Sequence, residues 1–133
     1  MPKRVVNPDR LAEPRGFNHG LLIEGGQLLF LAGQDASGPD GEIVAPGDLV
    51  AQFDQVMANL ATVVEAAGGR PDDIVKLNVY VADAREYRDT LGPLGKVFQE
   101  YVDRYPAMAL FEVNGFFKPE ALIELEGFAV IEE

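Results

Sequence analysis

One stretch of the chain has the periodicity of an amphipathic helix, and it is flanked by two runs with strand character. Apolar side chains recur at helical spacing from residue 53 to residue 67, after an N-cap candidate at Asp48 and before the glycine pair Gly68-Gly69. The flanking segments, 28–32 and 74–81, are rich in apolar residues, so a helix between them indicates a β–α–β crossover. The polar face of the helix is predicted to face solvent and consists of Gln52, Asn59, Thr62 and Glu65.

Further apolar segments predict more strands and a second helix. Short strands are expected at residues 3–7, 21–24, 107–113 and 121–131. Gly25-Gly26 is a hairpin signal, so residues 21–32 are predicted to form a β-hairpin that ends at Gly33-Gln34 with a bulge. The second helix is expected to begin at Pro93. We therefore predict a single α+β domain over residues 1–133, with one mixed sheet covered on one face by two helices.

The strands carry more apolar residues than two helices can cover. Residues 21–24, 28–32 and 121–131 are apolar on both faces. An apolar sheet face without a helix on it is typical of an interface, so the pattern predicts that subunits pack sheet against sheet.

Composition excludes several classes of function. The 22 acidic and 11 basic residues give a net charge of −11, which argues against nucleic acid as a partner because such binding neutralises phosphates with Lys and Arg. The absence of cysteine excludes disulfides, thiolate nucleophiles and cysteine-type zinc sites, and no cluster has metal-ligand spacing. No cofactor is therefore expected. No apolar run approaches the roughly 20 residues that span a bilayer, and residues 1–6 lack the apolar core of a signal peptide, so a cytoplasmic protein without a membrane partner is expected.

Few residues have catalytic potential. His19 is the only histidine and lies in a loop, where it could transfer a proton or could simply cap or pack a strand start. Glu124 and Glu126 share a face of the last strand, which is either solvated or the place of a carboxyl with a perturbed pKa. Met108, near the start of a strand entered from Tyr105-Pro106, is either core filler or the floor of a pocket.

Several segments, in this order along the chain, resemble the Rid family of reactive-intermediate deaminases, also called YjgF or L-PSP endoribonuclease-like proteins. The segments are Ala32-Gly33-Gln34, Asp40-Gly41-Glu42-Ile43-Val44, Gln52-Phe53 and Asn59-Leu60 of the first helix, Ala66-Ala67-Gly68-Gly69, Asp73-Ile74-Val75-Lys76, Val79-Tyr80-Val81-Ala82-Asp83, Tyr105-Pro106-Ala107 and Ile123-Glu124-Leu125-Glu126. The resemblance implies a chorismate-mutase-like α+β fold, and a homotrimer with ligand clefts between its subunits. It also implies binding of a small metabolite without a metal or organic cofactor.

The same resemblance identifies the cleft positions. The family's arginine after Pro-Ala grips the carboxylate of 2-imino acid substrates, and here that position is Met108. The family's tyrosine falls at Phe17, its serine at Ala32 and its asparagine near Leu94, while the acidic residue is kept as Glu124. Without the arginine, carboxylate binding should weaken by roughly tenfold to a hundredfold, which counts against the usual deaminase activity.

Two interpretations of the function follow from the resemblance. In the first, the chain is a hydrolase of a divergent Rid subfamily that takes a less polar substrate, with Glu124 activating water and His19 carrying a proton. Apolar neighbours and Glu126 should then raise the pKa of Glu124. In the second, the trimer is not catalytic and binds a metabolite or a protein in the same cleft. Endoribonuclease activity is a third interpretation, which the net charge of −11 opposes.

Overall fold

The computed structural model describes residues 3–132, which form a four-stranded mixed sheet, a two-stranded sheet and three helices. The elements are β1 (Lys3–Val6), β2 (Gly20–Ile23), β3 (Gln27–Gln34), α1 (Leu49–Ala66), β4 (Ile74–Val81), α2 (Ala84–Asp89), α3 (Leu91–Tyr101), β5 (Ala107–Glu112) and β6 (Ile123–Ile131), with a short 3-10 turn at Pro71–Asp73. The α+β class is as predicted. The domain predicted over residues 1–133 includes Met1, Pro2 and Glu133, which lie outside the described residues.

The large sheet has the strand order β3-β6-β4-β5. β6 pairs antiparallel with both β3 and β4, whereas β4 and β5 pair in parallel through the connection made by α2 and α3. The crossover through α1 joins β3 and β4, which are not neighbours because β6 lies between them. β5 is thus an edge strand of this sheet.

The predicted hairpin over residues 21–32 was wrong. β2 pairs with β1, where Lys3 lies opposite Ile23, and β3 pairs instead with β6. Gly25 and Gly26 both have left-handed backbone (φ 70° and 82°), so they turn the chain from one sheet to the other. The reason is burial, because pairing with β6 places Leu31 of β3 in the core. The predicted bulge is present, because the β3–β6 register shifts between Leu31 and Gln34.

The core lies between α1, α3 and one face of the large sheet. Asp48 caps α1 as predicted, with its side chain accepting a hydrogen bond from the Ala51 N–H. The largest fully buried apolar side chains of α1 and the sheet are Phe53, Val56, Met57, Leu60, Val64, Ile74, Leu77, Val79, Val81, Ile123 and Leu125. This packing fixes which sheet face the helices cover.

The predicted solvent face of α1 was wrong at Gln52, which is fully buried. Its amide nitrogen donates to the carbonyls of Ala45 (3.2 Å) and Glu120 (3.1 Å), and its side-chain oxygen accepts from the Leu122 N–H (2.8 Å). These bonds satisfy the buried amide and fasten two distant segments to the helix. Asn59 is half-buried, whereas Thr62 and Glu65 are exposed as predicted.

The other face of the large sheet is partly apolar, as predicted, with exposed apolar side chains on β3, β5 and β6 beside polar ones on β4 and β6. Phe30 of β3 and Phe128 of β6 lie edge to face with ring centroids 5.1 Å apart, and Phe111 of β5 stacks on Tyr80 of β4 at 5.7 Å. Phe30 is 70% exposed. We call this surface the open face and define it by Leu28, Phe30, Tyr80, Phe111, Glu124, Glu126 and Phe128.

Candidate functional site

A cavity of about 470 Å³ lies at the β5 edge of the sheet, on the helix side. Its walls come from α3, β5, α1, β4, α2 and the loop before β2. The lining residues are Arg15, Gly16, Phe17, Phe53, Val79, Tyr87, Leu91, Leu94, Gly95, Phe98, Tyr105, Met108, Ala109 and Leu110. The size and the apolar lining suit a small organic ligand.

Aromatic packing forms one wall of this cavity. Phe98 of α3 stacks on Tyr105 with ring centroids 5.5 Å apart, and it lies 5.9 Å from the Phe53 ring of α1. Phe98 and Leu94 are only 5% and 2% exposed, so this wall is part of the protein core. Since the side chains of this wall are held by the core, the wall is rigid.

The loop before β2 is fixed to the start of β5. The Asn18 N–H donates to the Pro106 carbonyl (3.0 Å), and the Asn18 side-chain nitrogen donates to the Tyr105 carbonyl (2.6 Å). Gly16 has a left-handed backbone (φ 79°) that an L-side chain rarely adopts. The turn at Gly16 and the two bonds of Asn18 place Phe17 at the cavity.

Three of the predicted site residues, Phe17, Leu94 and Met108, line this cavity. Met108 lies on the helix side of β5, in register with Leu77 of β4, and is half-buried. It packs on the core and lines the cavity, so both interpretations of this methionine hold.

Two other predicted site residues, Glu124 and Ala32, do not line this cavity. Glu124 is opposite Tyr80 in the β4–β6 register, so its side chain is on the open face and the sheet separates it from Met108. Its carboxyl lies directly over Gly33, where any Cβ would collide with it. Ala32 is exposed in the β3 bulge beside this glycine. The single chain therefore brings these two residues together, but on the opposite side of the sheet from the cavity.

The pKa of Glu124 is raised, in the direction that we predict from the sequence. Burial is the main cause, and the negative charges of Asp35 and Glu126 add to it. The Tyr80 hydroxyl donates to the Glu126 carboxylate. This hydrogen bond is the largest cause of the raised pKa of Tyr80. Sequence reasoning missed Asp35, because the β3 bulge brings it close to β6.

Asp35 is itself held by a chain of hydrogen bonds. The Ser37 hydroxyl and N–H both donate to its carboxylate, and the Lys118 ammonium donates to the Ser37 hydroxyl (2.6 Å) and to the Gly41 carbonyl. These bonds tie the loop after β3 to the loop before β6, and they keep the Asp35 charge near Glu124.

His19 has a structural position. The ring Nε2 lies 2.7 Å from the Ala12 carbonyl, so this nitrogen carries the proton in that bond. The backbone N–H of His19 donates to the Asn7 side-chain oxygen (2.8 Å). The ring packs edge to face on Phe17 at 5.3 Å and does not line the cavity. The contacts are those of a residue that packs a strand start, while its proposed role in proton transfer stays a prediction.

Sequence reasoning missed other lining residues, among them Leu91. Leu91, Leu94 and Phe98 follow helical spacing, so an earlier helix start than Pro93 would have revealed Leu91. Arg15, which the sequence offered only as an alternative grip for a carboxylate, also lines the cavity.

Two searches over residues 3–132 gave negative results. No cluster of three or more His, Cys, Asp or Glu side chains in that range could hold a metal ion. Within the same range, no helix combines the length and the apolar character needed to cross a membrane.

Comparisons with known proteins were made over the whole chain. The family described as Endoribonuclease L-PSP matches residues 9–131. A RutC family protein from Pyrococcus horikoshii is 31% identical over 128 residues, which are 96% of this chain and 97% of the relative.

Solved structures share the fold. The Rid family protein YyfB from Yersinia pestis, which is described as of unknown function, is 34% identical with a TM-score of 0.86 and covers 98% of this chain and 100% of its own. The YjgF gene product of E. coli is 29% identical with a TM-score of 0.70, and the match covers 96% of this chain and 98% of that protein. The similarity therefore extends over nearly the full length of each chain.

Proposed function

Because the chain belongs to the Rid family, described also as Endoribonuclease L-PSP, we propose that it is a homotrimer that binds a small metabolite with an apolar body. The observation that carries this proposal is the apolar cavity, in which Met108 occupies the position where the family resemblance implies an arginine. The cavity lies at the β5 edge of the sheet, beside the loop that Asn18 fixes to the start of β5.

A cleft that contains both Met108 and Glu124 needs two copies of the chain. The two residues lie on opposite sides of the sheet, so one subunit would contribute the cavity and its neighbour would contribute Glu124 over Gly33. The exposed aromatic residues of the open face, Phe30 and Phe111, supply apolar surface that such an assembly would bury.

The reaction proposed for this cleft is hydrolysis of an imine or enamine with an apolar substituent. An enamine first gains a proton on its β-carbon and loses one from its nitrogen, which gives the imine. Water then adds to the imine carbon, ammonia leaves, and a carbonyl compound remains. Glu124 would position the water and move its proton, a role that its raised pKa suits. Ribonuclease activity is not proposed, because an apolar cavity in a chain of net charge −11 offers little to a phosphate backbone.

Methyl NMR of the methionines tests binding in the cavity, with 3-phenylpropanamide as a neutral apolar probe. The Met108 methyl resonance is expected to shift on addition of the probe, because this side chain lines the cavity. Met57 is fully buried in the core away from the cavity, and it serves as a control in the same spectrum. An unchanged Met108 resonance, or equal shifts at Met57 and Met108, would contradict the proposed binding site.

Light scattering of the purified protein is expected to give the mass of a trimer of 14.5 kDa subunits. Phe30→Glu should dissociate the assembly, because it puts a charge on an apolar interface. Leu11→Glu, at another exposed apolar side chain outside the open face, should leave the mass unchanged. A wild-type mass near 14.5 kDa would refute the trimer.

A further inference from the structure

We propose that Arg15 binds the acid group of the ligand at the cavity rim, so that the ligand is an amphipathic carboxylic acid with its apolar body inside. This inference rests on the proposed function, because it concerns the same cavity.

The cavity has a single charged side chain in its lining. Among the lining residues in the described range, only Arg15 is charged at neutral pH, because the others are glycines, apolar side chains and two tyrosine phenols. No Asp or Glu of residues 3–132 lies within ion-pair distance of Arg15. In a chain with twice as many acidic as basic residues, 22 against 11, this guanidinium is available for an anion from outside.

The position of the charge sets the orientation of the ligand. Arg15 is exposed, whereas Leu94 and Phe98 on the cavity wall are 2% and 5% exposed. Apolar groups therefore gain most from the interior, and an anionic group gains most at the rim, where it stays partly hydrated. The adjoining turn at Gly16 and the bonds of Asn18 to β5 hold the loop that carries Arg15 in place.

A carboxylate fits this rim better than a phosphate. One planar guanidinium matches the two oxygens of a carboxylate through paired N–H donors. A phosphate has more charge and more acceptor oxygens to satisfy, and the lining offers no second cation among the described residues. The volume of about 470 Å³ leaves room for an aromatic or branched body behind the acid.

Calorimetry with two matched probes, 3-phenylpropanoate and 3-phenylpropanamide, tests the inference. The wild type is expected to bind the acid about tenfold more tightly than the amide at low ionic strength, since charge-assisted hydrogen bonds are stronger than neutral ones. Added salt should reduce this preference because the rim is exposed. Arg15→Gln should abolish the preference and keep the affinity for the amide, and Arg15→Lys should keep part of the preference.

Arg10→Gln is the matched control, because Arg10 is exposed in the same loop and does not line the cavity. It should retain the full preference for the acid. Equal binding of acid and amide by the wild type would overturn the inference and leave the proposed function intact, as would an undiminished preference in Arg15→Gln. Failure of both probes to bind would overturn the proposed function as well.

Discussion

Replacing Gln52 by alanine is expected to lower the free energy of unfolding by about 3–5 kcal/mol, because it leaves several buried backbone groups without partners. The carbonyls of Ala45 and Glu120 and the N–H of Leu122 all lose the side chain that they bond in the wild type. Gln52 is fully buried, so these groups are not exposed to bulk solvent in the wild type. Denaturant unfolding with an unchanged m-value measures the loss.

Gln55→Ala is the control for this experiment. Gln55 lies in the same helix, and its amide donates only to the side chain of Asn59 (2.8 Å). Its loss is expected to cost less than about 1 kcal/mol. If the two variants are destabilised equally, the three bonds of Gln52 do not fasten the helix to its neighbours.

Replacing Met108 by arginine is expected to tighten the binding of a small carboxylate such as pyruvate by roughly tenfold to a hundredfold. The side chain at this position lines the cavity and is half-buried, so a guanidinium there would meet its ligand with little competition from water. Calorimetry of the variant and of the wild type measures the gain.

Met108→Gln separates charge from polarity, because glutamine is polar and similar in size but carries no charge. It should bind pyruvate no better than the wild type. A gain as large in Met108→Gln as in Met108→Arg would show that the missing charge is not what limits carboxylate binding.

Local periodicity predicted the elements of the fold, but it could not predict how strands pair. The apolar stripe of α1 indicates directly which residues are buried, because the spacing of the stripe is that of a helix. Gly25-Gly26 has the same local signature in a hairpin turn and in a turn between two sheets, and only the distant strand β6 decides between them. Gln52 was missed for a related reason, because its partners come from segments far away in the sequence.

The candidate site was likewise predictable only in part from the sequence. Phe17, Leu94 and Met108 were identified through the family resemblance, and they meet in one cavity. The place of Glu124 across the sheet depends on the central position of β6, which no local pattern encodes. Arg15 was only an alternative carboxylate grip from the sequence, because its place at the cavity depends on the two bonds that fix Asn18 to the start of β5.

The central claim is that Met108, in the position of the family's arginine, prevents this cavity from taking small 2-imino acids as substrates. Ammonia release from 2-iminopropanoate by the purified wild type tests this claim most directly. The expected rate equals that of buffer alone, because Met108 offers no charge inside the cavity and so small a substrate has no apolar body to fill the cavity behind Arg15. Robust hydrolysis of 2-iminopropanoate by the wild type would contradict this account.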